Sequence, residues 1–234
     1  MLPATLLLAA CSKTDTPAPA VDQGRVLISH AAAANTPITA FANDQQVGQL
    51  NYVQSTACSN VKAGNTVIRI NNGAAAVSTQ TVAIAKDRNY SVFAYSPTAT
   101  IGSAALLAIP DDLTIPAAGT AKVRIVHLGV GAASPVRLSI PPTTPTSTPN
   151  DLTTDVAFGA ASGFIVANAG ALSLSVTAAA APRTQVVAVG DGTGTGTGSK
   201  TFESSKIYTV VLRGISGNGV PAAQQLQAVI VPNS

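Results

Sequence analysis

An apolar stretch that ends in histidine occurs twice in this sequence, first at Arg25–His30 and again at Lys122–His127. Both stretches are rich in valine, leucine and isoleucine, a composition that favours a β-strand. Each opens a longer segment in which the same landmarks follow in the same order. A chain that repeats one unit in this way is expected to fold as two copies of one domain.

The other landmarks of the repeat are an Ala-Gly turn and a tyrosine that opens a late strand. The turn ends at Gly64 and at Gly170, and the tyrosines are Tyr90 and Tyr208. The separation between matching landmarks grows along the chain, which predicts inserted loops in the second copy. The predicted insertions are Pro141–Asn150 and Gly190–Gly198.

Seven short strands are predicted in the first copy, with turn residues between them and no helical period. Ile38–Ala42 alternates in polarity and leads into Asn43–Gln46, which predicts a hairpin. The predicted fold is therefore all-β, with two tandem immunoglobulin-like antiparallel β-sandwich domains. The junction at 116–120 is too short for free tumbling, so the sandwiches are expected to sit end to end. The predicted parts are a partial signal peptide (1–10), an anchor cysteine and tether (11–23), repeat 1 (24–116), a linker (117–120) and repeat 2 (121–234).

The N-terminus resembles the end of a bacterial lipoprotein signal peptide. Leu8, Ala9, Ala10 and Cys11 match the four positions of the lipobox, although the usual basic residues upstream are missing. The resemblance implies cleavage before Cys11, lipidation of its sulfur and anchoring at the cell envelope, at the outer membrane or cell surface. The alternative is a frayed apolar N-terminus with a plain thiol.

The residues after Cys11 are rich in Pro, Ala and Thr up to Asp22 and are expected to form an extended tether that reaches roughly 30 Å from a membrane. With Cys11 lipidated, Cys58 has no partner, which excludes a disulfide framework. Cys58 falls near Ala161 of the second copy, which predicts a small buried side chain.

Composition excludes several classes of protein. The chain is 46% hydrophobic and 10% charged, which indicates a folded domain and not a disordered one. Its 13 basic residues are scattered, so a nucleic-acid footprint is missing despite the net charge of +3. Apolar runs stay well short of the roughly 20 residues of a membrane helix.

The repeated strand and histidine, together with Pro37–Phe41, resemble the bacterial extracellular β-sandwich repeat known as domain of unknown function (DUF) 4397. The resemblance covers about Gly24 to Ser234, but the loops at Ala31–Thr36 and Leu128–Ser134 depart from the family pattern. It implies exported, often lipid-anchored tandem sandwiches with no established catalytic role.

The possible sites of chemistry are few. His30 and His127 are the only histidines, they fall in separate predicted domains, and each is expected to hydrogen-bond a neighbouring loop. Tyr90 and Tyr208 are each expected to brace a corner of a sandwich through the hydroxyl group. No Gly-x-Ser-x-Gly elbow occurs. We therefore predict no catalytic, metal or cofactor-binding residue.

Two other patterns favour a structural interpretation. The alternating glycines of the second insertion lack dinucleotide-binding spacing, so they predict a flexible hairpin tip. Asp111 with Asp112, and Asp151 with Asp155, are expected to cap turns.

The predicted function is a non-catalytic envelope lipoprotein with a structural or adhesive role. It would contact the membrane through its lipid, and a surface glycan or protein partner stays open. A glycan-binding module is the alternative, although Trp is absent and the nine Phe and Tyr residues do not cluster. A hydrolytic enzyme is the least supported alternative.

Overall fold

The computed structural model describes residues 21–34, 36–142, 144, 148–190 and 199–233. This part of the chain contains 19 β-strands and one 3-10 helix, so the all-β prediction is confirmed. The predicted signal peptide, Cys11 and most of the predicted tether lie outside the described residues. So do residues 143, 145–147 and 191–198 of the predicted insertions.

The first half of the chain forms two four-stranded sheets, with strand orders β4-β1-β7-β8 and β3-β2-β5-β6. Alternate residues point between the sheets, and Val26, Ile28, Ile68 and Ile70 are all nearly inaccessible there. The strands are β1 (Gln23–Ala31), β2 (Ile38–Ala42), β3 (Gln45–Leu50), β4 (Ser59–Lys62), β5 (Gly64–Asn72), β6 (Ala75–Ile84), β7 (Asn89–Tyr95) and β8 (Ala105–Asp111).

Two predictions for this half are wrong in detail. The structure has eight strands and not seven, because β4 pairs with β1 along a segment that carries no apolar run. Cys58, which lies just before β4, is exposed and not buried. Ala161 of the second half is therefore a poor guide to the surroundings of Cys58.

The second half folds around its own hydrophobic core. The strand order is β11-β10-β15-β16-β19-β18-β9-β12, with β13 also on β9 and a separate β14-β17 pair. Val123, Ile125, Val210 and Leu212 are fully buried in this core. The strands are β9 (Thr120–His127), β10 (Val136–Ile140), β11 (Asn150–Asp151), β12 (Ala160–Ala161), β13 (Ile165–Asn168), β14 (Gly170–Ser173), β15 (Ser175–Ala178), β16 (Gln185–Gly190), β17 (Ser199–Phe202), β18 (Ile207–Arg213) and β19 (Gln227–Pro232); the 3-10 helix is Ala222–Gln224.

The two halves share several of their strand pairings. The first strand of each half pairs in parallel with a late strand, and the registers correspond, since Val26 faces Tyr90 and Val123 faces Tyr208. In both halves that late strand then pairs antiparallel with the last strand, β7 with β8 and β18 with β19. In addition, β2 pairs with β5 as β10 pairs with β15. In the first half β2 and β5 belong to a separate sheet, whereas in the second half β10 and β15 continue the sheet that contains β9 and β18.

The halves pack face to face, so the end-to-end expectation is wrong. Phe93 of β7 and Val126 of β9, each on the face turned away from its own core, belong to one buried cluster that joins the two sheets. The physical reason is that these outer faces are apolar and must be covered. The buried members of this interface cluster are Ala31, Phe93, Val126, Leu128, Val211 and Val229.

Candidate functional site

A buried ion pair crosses the interface beside this apolar cluster. Arg124 of β9 donates from Nη2 to Oδ1 of Asp111 at the end of β8, over 2.6 Å. The side chains are only 2% and 4% exposed. A pair this well shielded from water is strongly coupled, and losing one member leaves the other as an isolated buried charge.

Neighbouring groups complete the polar shell of Arg124. Its Nε donates to Oγ1 of Thr209 at 2.9 Å, and Ser91 donates from Oγ to Oδ2 of Asp111 at 2.7 Å. The guanidinium also lies 4.4 Å from the ring centroid of Phe164, a cation-π contact. Burial lowers the pKa of Arg124, while the charge and hydrogen bond of Asp111 act in the opposite direction. This network connects β7 and β8 of the first half to β9 and β18 of the second.

The adjacent pair, Lys122 with Asp112, lies at the surface. The two charged atoms are 2.8 Å apart, and the Asp112 side chain is 63% exposed. Asp112 also accepts a hydrogen bond from the backbone N–H of Thr114, as expected for a carboxylate that caps a turn. The prediction of a cap is therefore correct for Asp112 and wrong for Asp111, which is a strand residue paired with Arg124.

His30 lies at the end of β1 and is fully buried. Among the described residues, neither of its ring nitrogens makes a hydrogen bond of normal geometry. The backbone of Thr36, in the loop after β1, nevertheless acts on the ring as a hydrogen-bonding group, so the expected bond to a neighbouring loop stays a prediction. Its ring meets that of Tyr52 edge to face at 5.8 Å, and the guanidinium of Arg213 from the second half lies 5.0 Å from the Tyr52 ring. Burial lowers the pKa of His30 to about 4; the nearby charge of Arg213 adds to the shift, and the backbone of Thr36 opposes it.

His127 occupies the matching place in the second half but is hydrogen-bonded. Its Nε2 lies 3.0 Å from the carbonyl oxygen of Ala133, and its Nδ1 accepts a bond from the backbone N–H of Gly129 at 3.4 Å. These contacts favour a neutral ring with the proton on Nε2. Burial lowers the pKa of His127 as well. The geometry agrees with the expected bond to an adjacent loop, and the structural role of both histidines stays a prediction.

The two tyrosines make the same contact in the two halves. The hydroxyl of Tyr90 accepts a hydrogen bond from the backbone N–H of Ala85, and that of Tyr208 accepts one from Glu203, both at 3.0 Å. Each bond reaches five residues back along the chain and closes the turn before the strand. This geometry is the one expected of a tyrosine that braces a corner of a sandwich, and the role itself stays a prediction.

Asp151 and Asp155 belong to an arginine cluster beside the first predicted insertion. Arg183 contacts both oxygens of Asp151, at 2.6 and 2.8 Å, and Arg137 bridges Asp151 and Asp155. The hydrogen bonds from Arg183 are the main cause of the strongly lowered pKa of Asp151. The turn-capping expectation is thus wrong for this pair, because both carboxylates are partners of arginines.

Within the described ranges, no group of three or more His, Cys, Asp or Glu residues is placed to hold a metal ion. In the same part of the chain, no helix is long and apolar enough to cross a membrane.

The match to known families falls on the first half and the strand that follows it. Residues 24–135 match the family model of the Domain of unknown function (DUF4397). The matched segment includes His30, Tyr52, Tyr90 and both members of the Arg124–Asp111 pair. It also continues through β9, which supplies one face of the interface. No curated protein sequence matches the chain.

Several solved structures resemble the chain only distantly. One is the tip fimbrial protein Mfa3 from Porphyromonas gingivalis, with 10% identity and a TM-score of 0.29 over 90% of this chain and 99% of that one. Another is a candidate cell adhesion protein from Parabacteroides distasonis, with 8% identity and a TM-score of 0.23 over 91% and 98%. TM-scores this low do not establish a shared fold or function.

The residues that build the interface were missed at the level of sequence. Arg124 corresponds to Leu27 in the first copy, so a charge replaces an apolar residue in an otherwise apolar strand. This difference between the copies is the one feature of the sequence that marks Arg124 as unusual, and it does not reveal that Asp111 is its partner. Tyr52 and Arg213 could not be identified from the sequence, because neither belongs to the features that the two copies share.

Proposed function

We propose that this protein is a non-catalytic lipoprotein of the bacterial cell envelope, in which two tandem immunoglobulin-like sandwiches act as one rigid structural or adhesive element. The observation that carries the proposal is the interface between the halves, where an apolar cluster and the buried Arg124–Asp111 pair leave little freedom for hinge motion. A rigid double module suits a spacer or a contact surface. A catalytic role gains no support from His127, whose ring nitrogens both face backbone groups.

The proposal of tandem copies is supported by the matched strand pairings. Independent domains that merely shared a fold class would not need the same register between their first and late strands, whereas copies of one unit would. Tyr90 and Tyr208 also support the proposal of tandem copies, since each accepts a hydrogen bond from the backbone five residues upstream.

The proposal of a lipid anchor rests on Leu8–Cys11 and on the tether that follows. We expect that a cell expressing the chain with its own N-terminus will attach radiolabelled or alkyne-tagged fatty acid to the protein, and that Cys11→Ala will abolish the label and move the protein to the soluble fraction. The sulfur of Cys11 and the new amino terminus of the same residue are the two expected sites of acylation, so the variant should lose nearly all of the label.

Cys58 provides the matched control, because it is the other cysteine of the chain and is exposed. Cys58→Ala is expected to keep full labelling and membrane retention. Equal labelling of the Cys11→Ala variant and the unaltered chain would remove the anchor from the proposal and leave the double module in place.

A glycan-binding role is the second candidate, and one groove favours it. A groove of about 560 Å³ is lined by Lys200, Lys206, Glu203, Ser199, Thr201 and Ile230, among others. Neither lysine has an ion-pair partner within the described chain. The two ammonium groups outnumber the single carboxylate of Glu203, so the groove suits an acidic polysaccharide.

A glycan array should then show selective binding of uronic-acid or sulfated glycans over neutral ones. The double variant Lys200→Ala/Lys206→Ala is expected to reduce that binding at least about tenfold, because two charge-assisted contacts are lost. Lys62→Ala, which removes an exposed lysine of β4, is the control and should bind normally. Equal signals for acidic and neutral glycans would reject this candidate.

A further inference from the structure

Arg213, at the end of β18, is a buried cation at the interface between the halves. It is only 4% exposed, and its guanidinium reaches Tyr52 of the first half. Arg124, the other buried arginine of the interface, has Asp111 as its partner. Within the described ranges, Arg213 has no such carboxylate. Because a buried charge is costly unless an opposite charge compensates it, Arg213 needs an anion that the described side chains do not supply.

The contacts that Arg213 does make are with neutral groups. Its Nη2 donates a hydrogen bond to Oε1 of Gln227 at 3.2 Å, and the guanidinium lies 5.0 Å from the centroid of the Tyr52 ring. Its Nε is shielded from solvent and has no hydrogen-bond partner in the part of the chain that the structure describes. Burial lowers the pKa of Arg213, and Tyr52 opposes that shift. A positive charge and an N–H donor are thus both left without a protein partner.

Tyr52 supplies a second donor from the first half. Its hydroxyl group is buried and, among the residues that the structure describes, it has no hydrogen-bond partner either. The loop that carries Tyr52 is fixed to the end of β1, since the backbone N–H of Val53 donates to the carbonyl oxygen of His30 and the N–H of His30 donates to that of Gln54. Val53 adopts a φ of 77°, which is rare for a β-branched residue and persists only where the surroundings hold it. Tyr52 is therefore held in one place against the interface.

The unpartnered atoms define the kind of ligand that fits them. The Nε of Arg213 is a donor only, and the hydroxyl of Tyr52 can donate. A neutral water molecule would satisfy these donors but would leave the charge of Arg213 uncompensated. A ligand that carries negative charge and only accepts hydrogen bonds satisfies both needs. Since Arg213 is almost inaccessible to solvent, that ligand must be small.

We propose that Arg213 and Tyr52 form a buried binding site for a single chloride ion between the two halves. Chloride is small and monovalent, and it accepts hydrogen bonds without donating any. The charge comes from the second half and the hydroxyl group from the first, so the site is complete only when the halves are docked. This role goes beyond the proposed structural or adhesive function, because it makes the docked state depend on an inorganic anion.

Urea unfolding of the full chain in mild detergent at pH 7.5 tests the proposal, with sodium chloride replaced by sodium gluconate at constant ionic strength. Gluconate is too large for a buried site of this kind. Chloride that binds only the folded chain should lower the equilibrium constant for unfolding about tenfold for each tenfold rise in chloride above its dissociation constant. Arg213→Met should abolish this dependence. Tyr52→Phe, which removes only the hydroxyl group, should raise the dissociation constant at least about threefold.

Arg69→Met is the matched control. Arg69 also lies over an aromatic ring, 4.2 Å from the centroid of Phe41, but it is partly exposed and is paired with Asp44. The control variant removes the same charge as Arg213→Met and should leave the chloride dependence unchanged. A loss of the dependence in both variants would show that chloride acts through the net charge of the protein, and this would overturn the proposal.

Crystals of the unaltered chain grown in sodium bromide locate the site directly, so the proposal stays testable even if Arg213→Met does not fold. We expect an anomalous scattering peak within hydrogen-bond distance of Nε of Arg213 and of the Tyr52 hydroxyl. Diffraction data without a peak at this position overturn the proposal. So do equal stability in chloride and gluconate, and a folded Arg213→Met variant that keeps the full chloride dependence.

Discussion

Arg124→Met is expected to lower the free energy of unfolding by about 3 to 5 kcal/mol, the largest effect of any single change considered for this chain. Methionine keeps the length and much of the volume of the side chain, so the apolar packing around β9 persists. What is lost is the only cation within reach of Asp111 in the described structure. That carboxylate would be left buried with Ser91 as its remaining hydrogen-bond donor.

The measurement is urea unfolding followed by circular dichroism, with Lys122→Met as the control. Lys122 lies two residues away on the same strand and pairs with the next carboxylate. The side chain of Asp112 is 63% exposed, so loss of this pair should cost much less than loss of the Arg124–Asp111 pair. The double variant Arg124→Met/Asp111→Asn should recover part of the stability, because the uncompensated charge is gone. An equal decrease in the free energy of unfolding for the Arg124 and Lys122 variants would contradict the idea that burial makes the Arg124–Asp111 pair important.

Acidification from pH 7.5 to pH 4.5 is expected to destabilise the protein by about 2 to 3 kcal/mol through His30 alone. Burial holds the pKa of this imidazole near 4 in the folded protein, against 6.5 in the unfolded chain. The unfolded state therefore binds the proton first, and stability that is present at neutral pH is lost as the pH falls through that interval. His127 shifts in the same direction and adds to the loss.

The test is the urea midpoint as a function of pH for the unaltered chain and for His30→Gln, which cannot titrate. The variant should lose most of the contribution from His30 and keep the smaller slope due to His127. Asp112 and Asp151 have lowered pKa values, so their ionised carboxylates also stabilise the folded protein. That stabilisation is lost only at lower pH, since unfolded aspartate titrates near 3.8. An identical pH dependence with and without His30 would show that the imidazole is not buried neutral.

The local alternation of polar and apolar residues was sufficient to predict individual strands. Ile38–Ala42 and Val136–Ile140 alternate in polarity, and the structure has β2 and β10 with those same bounds. The hairpin after β2 also follows from local chemistry. Asn43 and Asp44 both adopt positive φ angles, of 47° and 65°, which these two residue types tolerate well.

Features that depend on a distant partner could not be predicted in this way. Strand β4 exists because β1 offers it an edge, and the segment has no strand pattern of its own. The residues Leu172–Val176 alternate in polarity and predict one strand, but the structure divides them into β14 and β15, which pair with different strands on either side of Leu174. The bounds of such strands are set by the strands with which they pair, and those partners are known only once the whole fold is known.

The candidate site was hidden for the same reason. A lone arginine in a strand suggests a solvent-facing position, and only the second sheet explains why Arg124 is buried. The same holds for Tyr52 and Arg213, which come from different halves and meet only because the outer faces of two sheets pack together. Prediction of the interface would have required knowledge of how the halves dock.

The shared face has a consequence for how the chain can change over generations. Deletion of the second half would expose Phe93 and Leu107 to water, and deletion of the first half would expose Val126 and Val211. An exposed apolar surface of this kind favours aggregation. Two units joined in this way have lost their independence. We therefore expect that neither half is soluble when it is produced without the other.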